Sequence, residues 1–163
     1  MAQSESDRAA AEAVVAHHAQ LAAELTNHLT PLRDAAAGQE PGWQVQRQAL
    51  LRWLRTDLLP HAAAEEAVLY PAAADRPDGK LLVDGMLAEH EAITALVGEL
   101  EGAATAVDAA AAGRALSALF EVHLAKENNL IVPLLLDAEH VSLAGLLNGM
   151  HDLLGADDAT EHV

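Results

Sequence analysis

The sequence predicts an all-α protein, an up-down-up-down four-helix bundle with a short additional C-terminal helix. Alanine, leucine and valine dominate, and aromatic residues make up only 2% of the chain, a composition that favours helices over strands. Apolar residues recur at steps of three and four in four long segments, which is the period of an α-helix with one buried face. Short turn signals separate these segments, and long helices joined by short turns favour a bundle.

The first two predicted helices both contain proline. In the first, an apolar stripe covers residues 14–32, and Pro31 predicts a kink or an end because it lacks a backbone donor. A turn signal at residues 38–42 precedes the second helix, whose stripe covers residues 50–69. Pro60 removes one backbone hydrogen bond within this second helix.

The remaining helices show the same period. A third stripe covers residues 82–100 and ends at Gly102, and a fourth helix begins at about Thr105 with its stripe at residues 116–134. A shorter helix at about residues 139–154 is expected to cover part of the bundle.

The length of 163 residues fits one domain that buries its own core, spanning residues 1–163. Within it, we expect the four-helix bundle at about residues 5–136. The N-terminus lacks a basic region followed by an apolar core, and no segment approaches the roughly 20 apolar residues of a membrane span. We therefore expect a cytoplasmic protein, either a monomer or a homodimer.

The charge balance excludes several classes of partner. The formal net charge is -16 with only nine Lys and Arg, so a nucleic-acid backbone or an anionic membrane surface is repelled. Metal ions and other cations fit this balance better. The absence of cysteine excludes thiolate metal sites, iron–sulfur clusters and disulfides.

Two segments of the chain share one motif. In both, glutamate follows histidine by four residues and proline follows it by ten: His61, Glu65 and Pro71 in the first, and His123, Glu127 and Pro133 in the second. Residues four apart lie about 40° apart around a helix and roughly 6 Å along it, so that imidazole and carboxylate project side by side. Such a pair can bind a metal ion.

A second repeat places one histidine on each of the other two helices. His18 and His90 each lead an apolar stripe, so the order along the chain is His, His-x3-Glu, His, His-x3-Glu. This order indicates a duplicated helical hairpin. Packing one hairpin against the other brings four imidazoles and two carboxylates into the core of the bundle.

Burial of the two glutamates favours metal over a purely structural role. An ionised carboxylate in an apolar core is costly unless it is paired or metal-bound, and no Lys or Arg lies on these stripes. Six ligands fit two ions bridged by the glutamates, and imidazole with carboxylate suits Fe, Mn, Zn or Ni. Ferritin-like di-iron bundles use the reverse order, Glu-x-x-His.

The repeated motif, with its proline ten residues after the histidine, resembles the haemerythrin-like (HHE) cation-binding family from about Val14 to Pro133. The resemblance implies a di-iron centre, with an oxo, hydroxo or water molecule as a third bridge; Mn or Zn are the alternative metals. It implies that Glu65 and Glu127 bridge the two ions. The terminal ligands that it implies are His18, His61, His90 and His123.

The chain departs from the oxygen-carrying haemerythrins at two points. Those proteins have a second histidine on the third helix, where this chain has Met86 and Thr94 near His90, and they have His-x4-Asp on the fourth helix. One ion therefore lacks a ligand, which leaves a position for a small molecule. The resemblance is closer to the branch that includes iron-centre repair proteins, iron- and oxygen-sensing domains and small actinobacterial haemerythrin-like proteins.

In that branch, the resemblance implies binding of, or reaction with, dioxygen, hydrogen peroxide or nitric oxide, as in a peroxide- or nitric-oxide-scavenging oxidoreductase. A sensing or iron-handling module without turnover, and an oxidase of a small metabolite, are the alternatives.

Some neighbouring residues leave the ligand set open. His17 could replace His18, and Glu66 or Glu91 could complete the coordination of the ion that lacks a ligand. Tyr70, next to Pro71, is assigned to packing.

Overall fold

The computed structural model describes residues 5–38 and 41–160, together with the side chains up to residue 154. Within these ranges every regular element is a helix, as the sequence predicts. The ends of the predicted domain at residues 1–4 and 161–163, and residues 39–40 of the predicted turn, lie outside the described residues. The helices are α1 (Glu5–Gly38), α2 (43–74), α3 (Lys80–Gly102), α4 (106–136) and α5 (Leu143–Thr160).

Of the two outcomes expected at Pro31, a kink or an end, the end is wrong. Helix α1 continues to Gly38, although the proline removes one hydrogen bond. Leu29, Leu32 and Ala35 are all buried on the same face. Their packing on both sides of the proline holds the last turns in the helix.

The C-terminal helix begins and ends later than predicted. It covers Leu143–Thr160 rather than residues 139–154. The signal for its start is Ser142, whose hydroxyl accepts a hydrogen bond from the Gly145 N–H at 3.2 Å, in the manner of an N-cap. Gly155, expected to lie beyond the helix, lies within it.

Three π-helical turns interrupt α2 and α4, and each one precedes a proline. Each turn is closed by an N–H that bonds the carbonyl five residues earlier, and the next residue along the chain is the proline. Because a proline cannot donate to the fourth residue before it and its ring crowds that carbonyl, a wider turn accommodates it. The turns are Leu54–Leu58, Glu65–Leu69 and Glu127–Ile131.

The long helices pack around two separate apolar clusters. Helix α1 contacts α2, α4 and α5, and α3 contacts α2 and α4. One cluster contains Leu21, Ile93 and Phe120, and the other contains Val14 and Met86. Along α1 and α3 the change from one cluster to the other falls at a histidine, so a polar layer separates the two clusters.

Helix α5 packs on the cluster that contains Val14 and Met86. Its Leu143 and Met150 are buried there.

No helix in the described ranges combines the length and the apolar character that a membrane crossing requires.

Candidate metal centre

The polar layer between the two apolar clusters is formed by six side chains from four helices. Helices α1 and α3 each contribute one histidine, and helices α2 and α4 each contribute a histidine and a glutamate. All six side chains are buried, with exposed fractions between 1% and 7%. They are His18, His61, Glu65, His90, His123 and Glu127, the residues that the sequence predicts.

Each of the two glutamates begins a π-helical turn. The carbonyl of Glu65 accepts a hydrogen bond from the N–H of Tyr70, and that of Glu127 accepts one from Val132. The repeated motif thus encodes two features together: a His/Glu pair on one helical face, and a proline that widens the turn immediately after the glutamate.

The first group of donor atoms comes from α1 and α2. The Nε2 atom of His61 lies 2.9 Å from Glu65 Oε1, and that of His18 lies 3.5 Å from the same oxygen. The two imidazole rings meet edge to face, with their centroids 5.5 Å apart. One ligand atom from each of these three residues lies within 4.8 Å of the others, a separation that one metal ion can span.

The second group combines α2, α3 and α4. His90 Nε2 lies 3.1 Å from His123 Nε2 and 3.6 Å from Glu65 Oε2. His123 Nε2 lies 3.4 Å from Glu127 Oε1. Glu65 belongs to both groups, with one carboxylate oxygen turned to each, while the second oxygen of Glu127 lies 3.6 Å from His18. Both carboxylates therefore lie between the two groups, as bridging ligands do.

Several of these inward atoms are buried without a hydrogen-bond partner. They are His18 Nε2, His61 Nε2 and Glu127 Oε2. An unsatisfied buried polar atom costs about 1–3 kcal/mol, and three of them in one cluster are unusual in a folded protein. A metal ion bound among them satisfies all three, so the residues fit a metal centre.

The charges of the cluster also favour a cation. Burial acts to raise the pKa of the Glu65 carboxyl, but the charge of His61 and the close contacts with the His18 and His61 imidazoles outweigh it and hold that pKa below its usual range. Burial acts to lower the pKa of His18 and His123, but close contacts with the two glutamates and the charges of those glutamates raise both. The cluster thus offers negative charge in a dry environment.

Hydrogen bonds from outside hold three of the imidazoles with Nε2 turned inward. His90 Nδ1 lies 2.7 Å from Glu66 Oε1, and His18 Nδ1 lies 2.7 Å from Asn128 Oδ1. His123 Nδ1 lies 3.0 Å from Glu89 Oε2. Because each partner oxygen accepts, each Nδ1 carries the proton and leaves the Nε2 lone pair free for a metal.

Glu89 is expected to support metal binding through His123. Its second oxygen accepts a hydrogen bond from Lys126 Nζ, which fixes the carboxylate beside the imidazole. We expect Glu89→Gln to weaken the binding of one ion by about 10–100-fold, the usual effect of losing such a partner, in a competition titration with Zn(II). Glu91→Gln, at an exposed position of the same helix, is the matched control, and equal affinities in the two variants would contradict this role.

Tyr70 belongs to the centre as well as to the core, a role that the sequence analysis missed. Its ring stacks on His90 with the centroids 5.3 Å apart. Its hydroxyl donates a hydrogen bond to Glu127 Oε1 at 2.6 Å and lies 3.3 Å from His90 Nε2. Burial and the charges of Glu65 and Glu127 raise the pKa of this hydroxyl. The sequence signal for this role was the position of Tyr70 immediately before Pro71 and five residues after Glu65.

The three alternative ligands lie outside the two donor groups. His17 lies against the ring of His61, with the centroids 4.9 Å apart, whereas His18 supplies the inward nitrogen. Glu66 bonds the outer nitrogen of His90, and Glu91 is exposed.

A cavity of about 90 Å³ adjoins the first donor group. His18, His61 and Glu65 form its inner wall, and apolar side chains of α1, α2 and α5 form most of the remainder. The cavity therefore connects the donor group of His18, His61 and Glu65 to a small apolar space.

Comparison with curated proteins gave no match, and comparison with solved structures gave none either. A family model, that of the haemerythrin HHE cation binding domain, matches residues 9–135. This range covers most of the chain and contains all six residues of the cluster. The chain therefore belongs to the haemerythrin HHE cation-binding domain family.

Proposed function

We propose that this protein holds a non-haem di-iron centre that binds or reacts with a small oxidant, namely dioxygen, hydrogen peroxide or nitric oxide. Two iron ions are the proposed cofactor. In this centre His18 and His61 would hold one ion, His90 and His123 would hold the other, and Glu65 and Glu127 would bridge them.

The observation that carries this proposal is the sharing of Glu65 between two donor groups. One group contains His18, His61 and Glu65, and the other contains Glu65, His90, His123 and Glu127. Four imidazoles and two carboxylates are too many for one ion in a site that must stay open to a small molecule, and the two groups lie on opposite oxygens of the shared Glu65 carboxylate. Imidazole and carboxylate ligands without thiolate suit iron.

The chain's own side chains position the ions and protect them. The hydrogen bond from Tyr70 to Glu127, and those from the outer nitrogens of three histidines, fix the ligand geometry. The apolar clusters on both sides exclude water. When bound, the iron pair supplies the redox change, as cofactors do in enzymes of this kind.

The cavity favours a very small reaction partner. Its volume of about 90 Å³ is well below the roughly 150 Å³ of an apolar cavity that holds benzene. This size supports dioxygen, nitric oxide or hydrogen peroxide as the partner, and it argues against an oxidase of an organic metabolite.

The proposal extends to the arrangement of the chain. We propose one domain over residues 1–163, with the four long helices in up-down-up-down order, because the turns between α2 and α3 and between α3 and α4 are short.

The net charge of -16 argues against nucleic acid and anionic membranes as partners. We propose a monomer or homodimer that acts on a small molecule alone.

Elemental analysis with optical spectroscopy tests the function directly. In protein from iron-supplemented cells we expect about two irons per chain, together with near-ultraviolet bands of a bridged ferric pair that change when peroxide is added. Zinc in place of iron, or no metal, with no such bands, contradicts the proposed function.

A further inference from the structure

Helix α5 forms one wall of the cavity beside the metal centre. Leu147 and Met150 of α5 line the space whose inner wall is formed by His18, His61 and Glu65. Helix α5 begins at Leu143, whereas the family match covers residues 9–135. The outer wall of the cavity is thus supplied by a part of the chain that lies beyond the matched domain.

This wall is anchored to the bundle. Asp7 of α1 accepts hydrogen bonds at 3.0 Å from the Ser142 hydroxyl and from the N–H of Ala144, at the start of α5. Leu143 is 0% exposed and Met150 is 5% exposed within the apolar cluster. The position of the wall relative to His61 is therefore fixed by packing and by hydrogen bonds at its N-terminal end.

The remaining space has a definite size limit. The cavity of about 90 Å³ is well below the roughly 150 Å³ of an apolar cavity that holds benzene, so it is too small for a branched molecule with as many heavy atoms as benzene. Leu147 is half-buried, and its side chain lies at the edge of this space. Shortening Leu147 and Met150 enlarges the cavity without touching any of the six metal-site residues.

We propose that Leu147 and Met150 set the size limit for molecules that reach the His18 and His61 side of the centre. Molecules with two heavy atoms, such as dioxygen, nitric oxide and hydrogen peroxide, pass this wall, and branched organic hydroperoxides do not. The inference rests on the proposed function, since it assigns the selectivity of the same centre to α5.

Stopped-flow oxidation of the Fe(II)-loaded protein tests this selectivity. Hydrogen peroxide and tert-butyl hydroperoxide are compared through the appearance of ferric absorbance. Each peroxide accepts two electrons, one from each Fe(II), and two protons, and its O–O bond breaks to give two waters, or water and tert-butanol. In wild type we expect hydrogen peroxide to react much faster.

Removing the wall is expected to change one rate and not the other. In the double variant Leu147→Ala and Met150→Ala, the tert-butyl hydroperoxide rate should rise at least about tenfold, as expected when a steric block of a few methylenes is removed. The hydrogen peroxide rate should stay nearly constant. Leu146→Ala is the matched control, because Leu146 packs on the same apolar cluster and does not line the cavity. An unchanged ratio of the two rates in the double variant, with its iron retained, overturns the proposal.

A narrowing variant keeps the test decisive if the double variant fails to fold. Leu147→Phe places a larger side chain at a half-buried position and is expected to slow hydrogen peroxide as well. Equal hydrogen peroxide rates in Leu147→Phe and wild type count against the proposal.

Xenon binding to the zinc-loaded protein separates this inference from the proposed function. Apolar cavities bind xenon, so xenon-129 NMR should show a bound site in wild type that Leu147→Phe eliminates. If the iron protein is inert to hydrogen peroxide, dioxygen and nitric oxide but the xenon site responds to Leu147→Phe, the proposed function fails while the cavity beside α5 is confirmed. If wild type shows no xenon site, the inference about α5 fails, regardless of how fast the Fe(II)-loaded protein is oxidised.

Discussion

Replacing His61 and His123 together by alanine is expected to abolish the binding of both metal ions. His61 belongs to the three-residue donor group and His123 to the four-residue group, so each ion loses an imidazole. Each ion is then left with one imidazole and the two shared carboxylates, too few donors to hold it in competition with water. Elemental analysis after purification should give close to zero iron per chain, against about two in wild type.

Thermal unfolding gives a second measurement of the same loss. A ligand at 1,000 times its Kd stabilises the folded state by about 4 kcal/mol, so wild type should melt at a clearly higher temperature with iron than without. The double variant should show no such difference. The control is His28→Ala with His140→Ala, which removes two histidines outside the donor groups. Retention of two ions by the His61 and His123 variant would show that the ligand assignment is wrong.

Replacing Glu65 by glutamine is expected to uncouple the two ions. Glu65 is the residue common to both donor groups, and it is 1% exposed. Glutamine keeps its size but has no charge and only one oxygen, so it cannot bridge. We expect the metal content to fall from about two towards one per chain, and the magnetic coupling between the ions to be lost.

Magnetic susceptibility and the near-ultraviolet spectrum of the ferric protein measure this change. Glu91→Gln, which removes an exposed carboxylate outside both groups, should leave both measurements as in wild type. A Glu65→Gln protein with two ions, unchanged coupling and unchanged bands would rule out Glu65 as a bridge.

The sequence was sufficient to predict the helical class and the residues that meet in the core. The period of the apolar stripes placed His18, His61, His90 and His123 on buried faces, and the spacing of four placed a glutamate beside two of them. These features are local, since one helix alone determines which residues share a face. The packing of helices with one buried face then brings those faces together.

Contacts between helices were not predicted, because they depend on side-chain positions that no local pattern encodes. Glu89 lies 34 residues from His123, and Asn128 lies 110 residues from His18. The hydroxyl of Tyr70 reaches Glu127 across 57 residues. The π turns were missed for a different reason: the prolines were recognised as disruptive, but a period of 3.6 residues carries no information about how a helix accommodates them.

The position of the polar layer between two apolar clusters has a consequence for folding. Each cluster can form by burial of its own leucines, while the layer between them gains little from burial and contains atoms that lack partners. In the metal-free chain we expect this layer to be the least stable cross-section of the bundle. The proposed metal pair would join α1, α2, α3 and α4 at this level, so we expect the metal-bound core to unfold as one cooperative unit.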